Sequence, residues 1–223
     1  DDAVEVRYSA PTLDVRVRPE RLGDDFTDLD ITIPNRMSVE VAGIEMEFEA
    51  EGLGSNVVVN TVEGAVKVQG GRGNITLNSV EGGVSLEGAE GNIALVSVDG
   101  DVVVRQSSGV LSVQNVDGDI TLEGITSDNV EVNTVDGDLS YRGSIRDDGR
   151  YFLSTHDGDI TITVPDGTNA RVSVSTFSGD LEADFPVTLS GDMDQRSFSF
   201  TLGSGKALLE ISTFDGIIQL LRP

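Results

Sequence analysis

Four Asp-Gly-Asp turns recur along this chain, at Asp99–Asp101, Asp117–Asp119, Asp136–Asp138 and Asp157–Asp159, spaced by 18, 19 and 21 residues. If the turns stack, Asp99, Asp117, Asp136 and Asp157 form one row of carboxylates, which Glu63 and Glu81 extend. Asp101, Asp119, Asp138 and Asp159 form a second, which Asp180 extends. Two chemistries suit such rows. Hard divalent cations such as Ca2+ take several oxygen ligands at about 2.3–2.6 Å, so Ca2+ held between coils makes these eight aspartates candidate metal ligands. Aspartate before glycine also accepts hydrogen bonds from N–H groups of its own turn, and the turns are then self-capped with no ion. That second reading needs nothing beyond the chain and is preferred. The nine-residue period matches the calcium-binding nonapeptide, but each block has one glycine and carries aliphatics where that motif needs Gly and Asp.

Residue types suited to catalysis are scarce. His156 is the single histidine and cysteine is absent, so a zinc site or a thiolate nucleophile has no ligands to work with. His156 stands where sister coils carry Val98, Val116, Val135, Phe177 and Phe214, which reads as a packed structural histidine. No Gly-x-Ser-x-Gly elbow is present, and Ser204 between Gly203 and Gly205 reads as a turn. The catalytic alternative is a polysaccharide-acting β-helix enzyme. Paired acids for glycoside cleavage lie roughly 5–9.5 Å apart, a separation that any two stacked aspartates meet, so the spacing has no specificity. The chain reads as non-enzymatic and without a cofactor, Ca2+ being the one candidate.

The positioning elements follow from a repeat. Glycine recurs every nine residues, at Gly64, Gly73, Gly82, Gly91, Gly100, Gly109 and Gly118, and the third and fifth residues of each block are aliphatic, as in Val66/Val68, Ile75/Leu77 and Val84/Leu86. An aliphatic-x-aliphatic pair marks a strand with one buried face, and glycine beside Asp or Asn supplies the positive φ of a tight turn. Because blocks alternate in kind, the unit is two blocks, about 18 residues, lengthening to 21 toward the C-terminus. One coil cannot bury its apolar face alone, whereas stacked coils share a continuous core. The expected fold is all-β: a parallel β-solenoid, right-handed by the preference of parallel crossovers, with capping strands at its ends. Its columns are Val66/Val84/Val102/Ile120, Val68/Leu86/Val104/Leu122 and Ile75/Ile93/Leu111.

Residues 1–35 lack the repeat and alternate at Val4–Tyr8, Leu13–Val17 and Leu29–Ile33, predicting N-terminal capping strands or an exchange arm; residues 36–223 form the solenoid. A degenerate coil spans Met37–Phe48, out of phase with later copies. Loops are expected at 143–151 and 165–168, and an irregular excursion or cap at 181–203. The later column places Tyr151, Leu153 and His156, then Val172, Val174 and Phe177, then Leu209, Ile211 and Phe214, suggest a core closing with aromatics.

The net charge of −24 excludes nucleic acid and anionic membrane as partners, and no apolar run reaches the roughly 18 residues that span a bilayer. The acidity suits a saline habitat. Numbering from Asp1 rather than Met fits either removal of a leader peptide or a fragment; removal of a leader implies work at the cell surface or outside the cell.

Thr134–Leu139, Ser97–Val102, Asn115–Ile120 and Ser212–Ile218 together resemble a widespread prokaryotic β-strand-repeat family of unknown function labelled as adhesins. Ile162–Gly167, leading into Val172-x-Val174-x-x-Phe177-Ser178-Gly179-Asp180, is similar to that family's usual way into a coil. The resemblance covers about residues 31–223 and implies a β-repeat fold with no catalytic residues. The expected function is a secreted or surface-displayed structural or adhesive module. Its partners would be a surface or carbohydrate ligand, or copies of itself joined into filaments by end-to-end strand addition.

Overall fold

The structure, a computed structural model, describes residues 4–9, 12–17, 27–188, 190–192 and 197–223. Its described residues contain no helix, and the chain divides into two compact units, Asp1–Pro34 and Asn35–Pro223. In the first, Val4–Ser9 and Thr12–Val17 form an antiparallel hairpin with Val4 opposite Val17 and Ser9 opposite Thr12. The strand expected at Leu29–Ile33 is not formed, and Leu29 and Ile31 are exposed. Alternation supplies a face, but a strand also needs a ladder partner, and none pairs with these residues among those described.

The second unit is a parallel β-solenoid. Each coil contributes one strand to a nine-stranded sheet and one to an eleven-stranded sheet. Successive side chains on a strand point to opposite faces, so the aliphatic pairs of both sheets meet inside. The expected columns are present: Val66 pairs with Val84, Val84 with Val102 and Val102 with Ile120, while Ile75 pairs with Ile93 and Ile93 with Leu111. All of these are buried, each contributing on the order of 1.5–3 kcal/mol of transfer free energy.

The Met37–Phe48 coil is in phase with the rest, contrary to its sequence pattern: Val39 pairs with Val57 and Phe48 with Val66, both 18 residues on. Its glycine is missing from the corner because the constraint comes from below. At Gly137, φ is +135° and a Cβ would overlap the carbonyl of Gly118, one coil beneath. Met46 holds the equivalent place in the first coil and no described coil lies under it. Where the coils lengthen, larger side chains fill them. Tyr141 and Tyr151 are buried edge to face with centroids 6.0 Å apart. Tyr141 Oη donates to the Ser144 carbonyl and Tyr151 Oη to that of Ser127, both at 2.9 Å. Burial pushes both phenols above their ordinary range.

The C-terminal third departs from chain order. Sequence spacing places residues 170–183 directly on residues 150–163, but the last coil lies between them. Ala207–Thr213 pairs with Arg150–Ser154 on one side and Ala170–Thr176 on the other, and Ile218–Leu221 sits between Ile160–Thr163 and Leu181–Ala183. Both coils carry the same spacing to their glycine, so the pattern alone does not fix their order. Of the expected 181–203 excursion, Leu181–Ala183 belongs to the nine-stranded sheet. Ser197–Leu202 runs antiparallel on the outer edge of Ala170–Thr176, with Ser190–Asp192 beyond it. Met193 and Asp194 lie outside the described residues.

Polar clamps hold the inserted coil at both ends. Lys206 Nζ donates to Asp147 Oδ2 at 2.9 Å, Asn169 Nδ2 donates to Asp147 Oδ1 at 3.0 Å, and the Ser204 N–H donates to Asn169 Oδ1 at 3.0 Å. At the exit, Arg222 Nη1 donates to the carbonyls of Pro165 and Val164, its backbone N–H donates to Asp184, and its guanidinium lies 4.3 Å from the centroid of Phe185. Hydrogen bonds from Lys206 and Asn169 hold the Asp147 carboxyl below its ordinary range, and the bond to Asp147 raises the Lys206 ammonium above its own.

Gly137→Ala forces an L side chain into a glycine-only conformation, at a cost on the order of 1–3 kcal/mol before the overlap is counted. The expected result is a melting temperature lower by at least about 2–4 °C, read by circular dichroism. Asp147→Asn should melt below wild type at neutral pH. A depressed carboxyl stabilises the fold above its unfolded value and loses that contribution as pH falls through the folded one, so the difference should vanish well below pH 3.8. Lys206, raised in the fold, loses its contribution as pH climbs past its folded value, above 10.5, so the gap should also close there.

Candidate functional site: the corner ladder

Each coil turns at two corners. At one, ion pairs join neighbouring coils: Arg72 with Glu90 at 3.2 Å and Arg105 with Glu123 at 3.6 Å. The other holds the Asp-Gly-Asp turns and carries no basic side chain from Thr61 to Ala65, Ser97 to Asp101 or Thr134 to Asp138.

Three residue rows run along this second corner. The innermost is polar and buried: Thr61, Ser79, Ser97, Asn115, Thr134, Thr155 and Thr213. Its members bond turn carbonyls. Ser97 Oγ donates to Gly82 O at 3.3 Å, Asn115 Nδ2 to Gly118 O at 2.8 Å and to Gly100 O at 3.2 Å, and Thr155 Oγ1 to Gly137 O at 3.2 Å. A tight turn leaves carbonyls facing inward, and a buried unpaired carbonyl costs about 1–3 kcal/mol, so a short donor is required there. Sequence reasoning missed this row. Its signal was the constant Ser, Thr or Asn two places before each acid.

The second row is apolar and faces solvent. Val62, Val80, Val98, Val116 and Val135 are 40–49% exposed, Ile44 is 71% and Phe214 and Phe177 are 45% and 64%. This corrects the sequence reading, which put the Val and Phe residues and His156 in the core. The pleat carries on past the strand end: Leu153 points in, Ser154 out, Thr155 in and His156 out. His156 is exposed and stacks on Phe214, which stacks on Phe177, with both centroid separations 4.7 Å. The aromatics therefore form an outer ladder rather than a closing core. The row is rigid, because its carbonyls accept the N–H of the acid one coil on, as from Asp99 to Val80 and from Asp157 to Val135, both at 2.8 Å.

The third row is the acids, whose two columns behave differently. Glu63, Glu81, Asp99, Asp117, Asp136, Asp157 and Asp215 bridge coil to coil through their backbones with their side chains exposed. In the other column each carboxylate caps the turn of the following coil. Asp101 Oδ1 accepts from the Asp119 N–H at 3.0 Å, Asp119 from Asp138 at 2.9 Å, Asp138 from Asp159 at 2.8 Å, and Asp159 from Ile217 at 2.7 Å. The expectation that each aspartate caps its own turn is thus corrected to the next turn. Asp180 does not follow Asp159, because the inserted coil lies between them. Among the described residues no group of three or more acidic, histidine or cysteine side chains converges as a metal site. Asp99, Asp117, Asp136 and Asp157 thus stand in one column and Asp101, Asp119, Asp138 and Asp159 in the other, brought together as rows rather than as clusters. Ser204 lies in a turn, as expected.

These features define a parallel β-solenoid with a capped acidic corner. The chain belongs to the Toastrack family, a domain of unknown function (DUF4097), whose family model matches residues 22–221. The match begins before residue 31, where the resemblance was expected to start. Searches of curated proteins and of solved structures returned no match.

The two acid columns give opposite expectations. Asp119→Ala removes a coil-to-coil bond and should cost about 1 kcal/mol. Asp117→Ala removes only an exposed charge between like charges, and should leave stability within about 0.5 kcal/mol or raise it at low salt. Urea unfolding of the two variants side by side checks the contrast.

Proposed function

We propose that this solenoid is a non-catalytic structural and adhesive module, working at the cell surface or outside the cell, that grips its partner along the exposed Val62–Phe177 ridge. The carrying observation is the ridge itself. Among the described residues, eight of the exposed large apolar side chains, Ile44, Val62, Val80, Val98, Val116, Val135, Phe214 and Phe177, fall on one line of the solenoid. Scattered exposed aliphatics are ordinary on a protein surface, whereas contiguous rows mark interaction sites. A ridge fixed by backbone bonds loses little freedom on binding, which favours affinity.

The flanking charge indicates the partner. One side of the ridge carries the carboxylate columns, on a chain of net charge −24. The complementary surface is apolar with positive charge, and nucleic acid or an anionic bilayer is repelled. Support for a non-catalytic role comes from the placement of reactive groups: the one histidine is stacked on a phenylalanine, and the inner aspartates are taken up by backbone N–H groups.

The test is a triple variant, Val98→Thr/Val116→Thr/Val135→Thr, which keeps the β-branched shape and the fold. Binding to a 14-residue amphipathic Lys/Leu helix, measured by fluorescence anisotropy, should weaken at least about tenfold, equivalent to about 1.4 kcal/mol. Unchanged affinity in the triple variant, with binding governed by salt alone, would show that the ridge plays no part.

A further inference from the structure

The inserted C-terminal coil has a consequence for association between copies, independent of what the ridge binds. We propose that residues 207–221 are an exchangeable element, so that the gap between residues 150–163 and 170–183 accepts the last coil of a second copy of this chain and yields a reciprocally exchanged dimer.

The gap is a made-to-measure acceptor. Without its insert it would expose four strand edges: Arg150–Ser154 and Ile160–Thr163 on one wall, Ala170–Thr176 and Leu181–Ala183 on the other. Open parallel edges are templates for strand addition. The insert satisfies both walls. The Thr155 N–H donates to Ser212 O at 3.0 Å and the Val164 N–H to Leu221 O at 2.8 Å, while the Ile218 N–H donates to Asp180 O at 2.8 Å on the far side. Inward, the insert places Ala207, Leu209, Ile211, Ile218 and Leu220 in the core at 2% exposure or less. A second copy's coil offers the same side chains in the same register, so exchange forfeits none of these contacts.

The link that keeps the coil at home is short. Ser197–Leu202 lies on one edge of Ala170–Thr176 and Ala207–Thr213 on the other, so residues 203–206 must cross the end of that strand. Two strand spacings amount to about 9.6 Å, and the five Cα steps from Leu202 to Ala207 reach at most about 17–18 Å when fully extended. The crossing is made with positive φ at Gly203 (+53°) and Gly205 (+67°). Short, tightly turned hinges favour exchange, because opening the hinge relieves the turn and the contacts are remade in trans. Both walls precede the insert in the sequence, so they are synthesised before it.

Two single-cysteine variants of the full chain test this, since the native sequence has no cysteine. Ser154 and Ser212 are register partners across the wall and the insert, and a strand spacing of about 4.8 Å lies inside the Cα separation a disulfide spans. Ser154→Cys and Ser212→Cys chains are unfolded together, refolded at about 100 μM and oxidised; the doubly substituted chain, which closes the bond within itself, confirms that the pair oxidises. The expected product is a covalent 154–212 heterodimer, identified by peptide mass mapping. Its yield should rise with protein concentration and fall several-fold when Gly-Ser-Gly is added after Ser204 to relax the hinge. If the double variant forms its internal disulfide while the mixed chains give no 154–212 heterodimer at any concentration, the coil does not exchange and the proposal is overturned.

Discussion

The solenoid unit depends on a backbone ladder that repeats coil upon coil. Through Thr163, parallel hydrogen bonds set strand residues above equivalents 18–21 positions earlier, and the inserted coil joins the same columns out of order, so each place in the coil must be filled by a residue that tolerates a copy of its own kind above and below. Aliphatic residues meet that condition inside, where like packs on like. Glycine meets it at the corner, where the backbones approach too closely for a Cβ. Charge meets it poorly, and the acidic corner shows how the chain copes.

Stacked carboxylates repel by somewhat under 1 kcal/mol per neighbouring pair in bulk water. One column offsets this by giving each carboxylate a backbone N–H in the following coil, so the charge that opposes stacking also ties coils together. The other column stays in water, where screening is strong. Between the acids and the core, the Thr, Ser and Asn row answers the inward carbonyls of the turn, and this leaves the neighbouring valines no place but the outside. An apolar ridge bordered by acids thus follows from the needs of the turn, and its rigidity comes from the same ladder.

Much of this was legible in the sequence. The columns through Val84, Val102 and Ile120 follow from spacing alone, since period two and period 18 point to the same residues. The corner was harder to read. Hydropathy assigns Val98, Val135 and Phe214 to the core and Ser97, Thr134 and Thr213 to the surface, and the structure reverses both, because turn carbonyls outrank hydropathy there. Leu29–Ile33 shows the opposite failure, an alternating pattern with no ladder to join. The position of the last coil was illegible for a third reason: Leu209/Ile211/Phe214 and Val172/Val174/Phe177 carry the same pattern. In the observed order, contacts such as Asp147–Lys206 and Arg222–Pro165 form, which periodicity does not encode.

In most stacked folds the final strand is the outermost, and mechanical load peels it off one bond at a time. Here the strands of residues 207–221 lie inside the stack, flanked by parallel neighbours on both sides and held at Arg222. Tension applied at the C-terminus along the strands therefore shears two ladders at once in each sheet. A load applied beyond residue 221 would be met by the simultaneous resistance of many bonds rather than by one bond at a time.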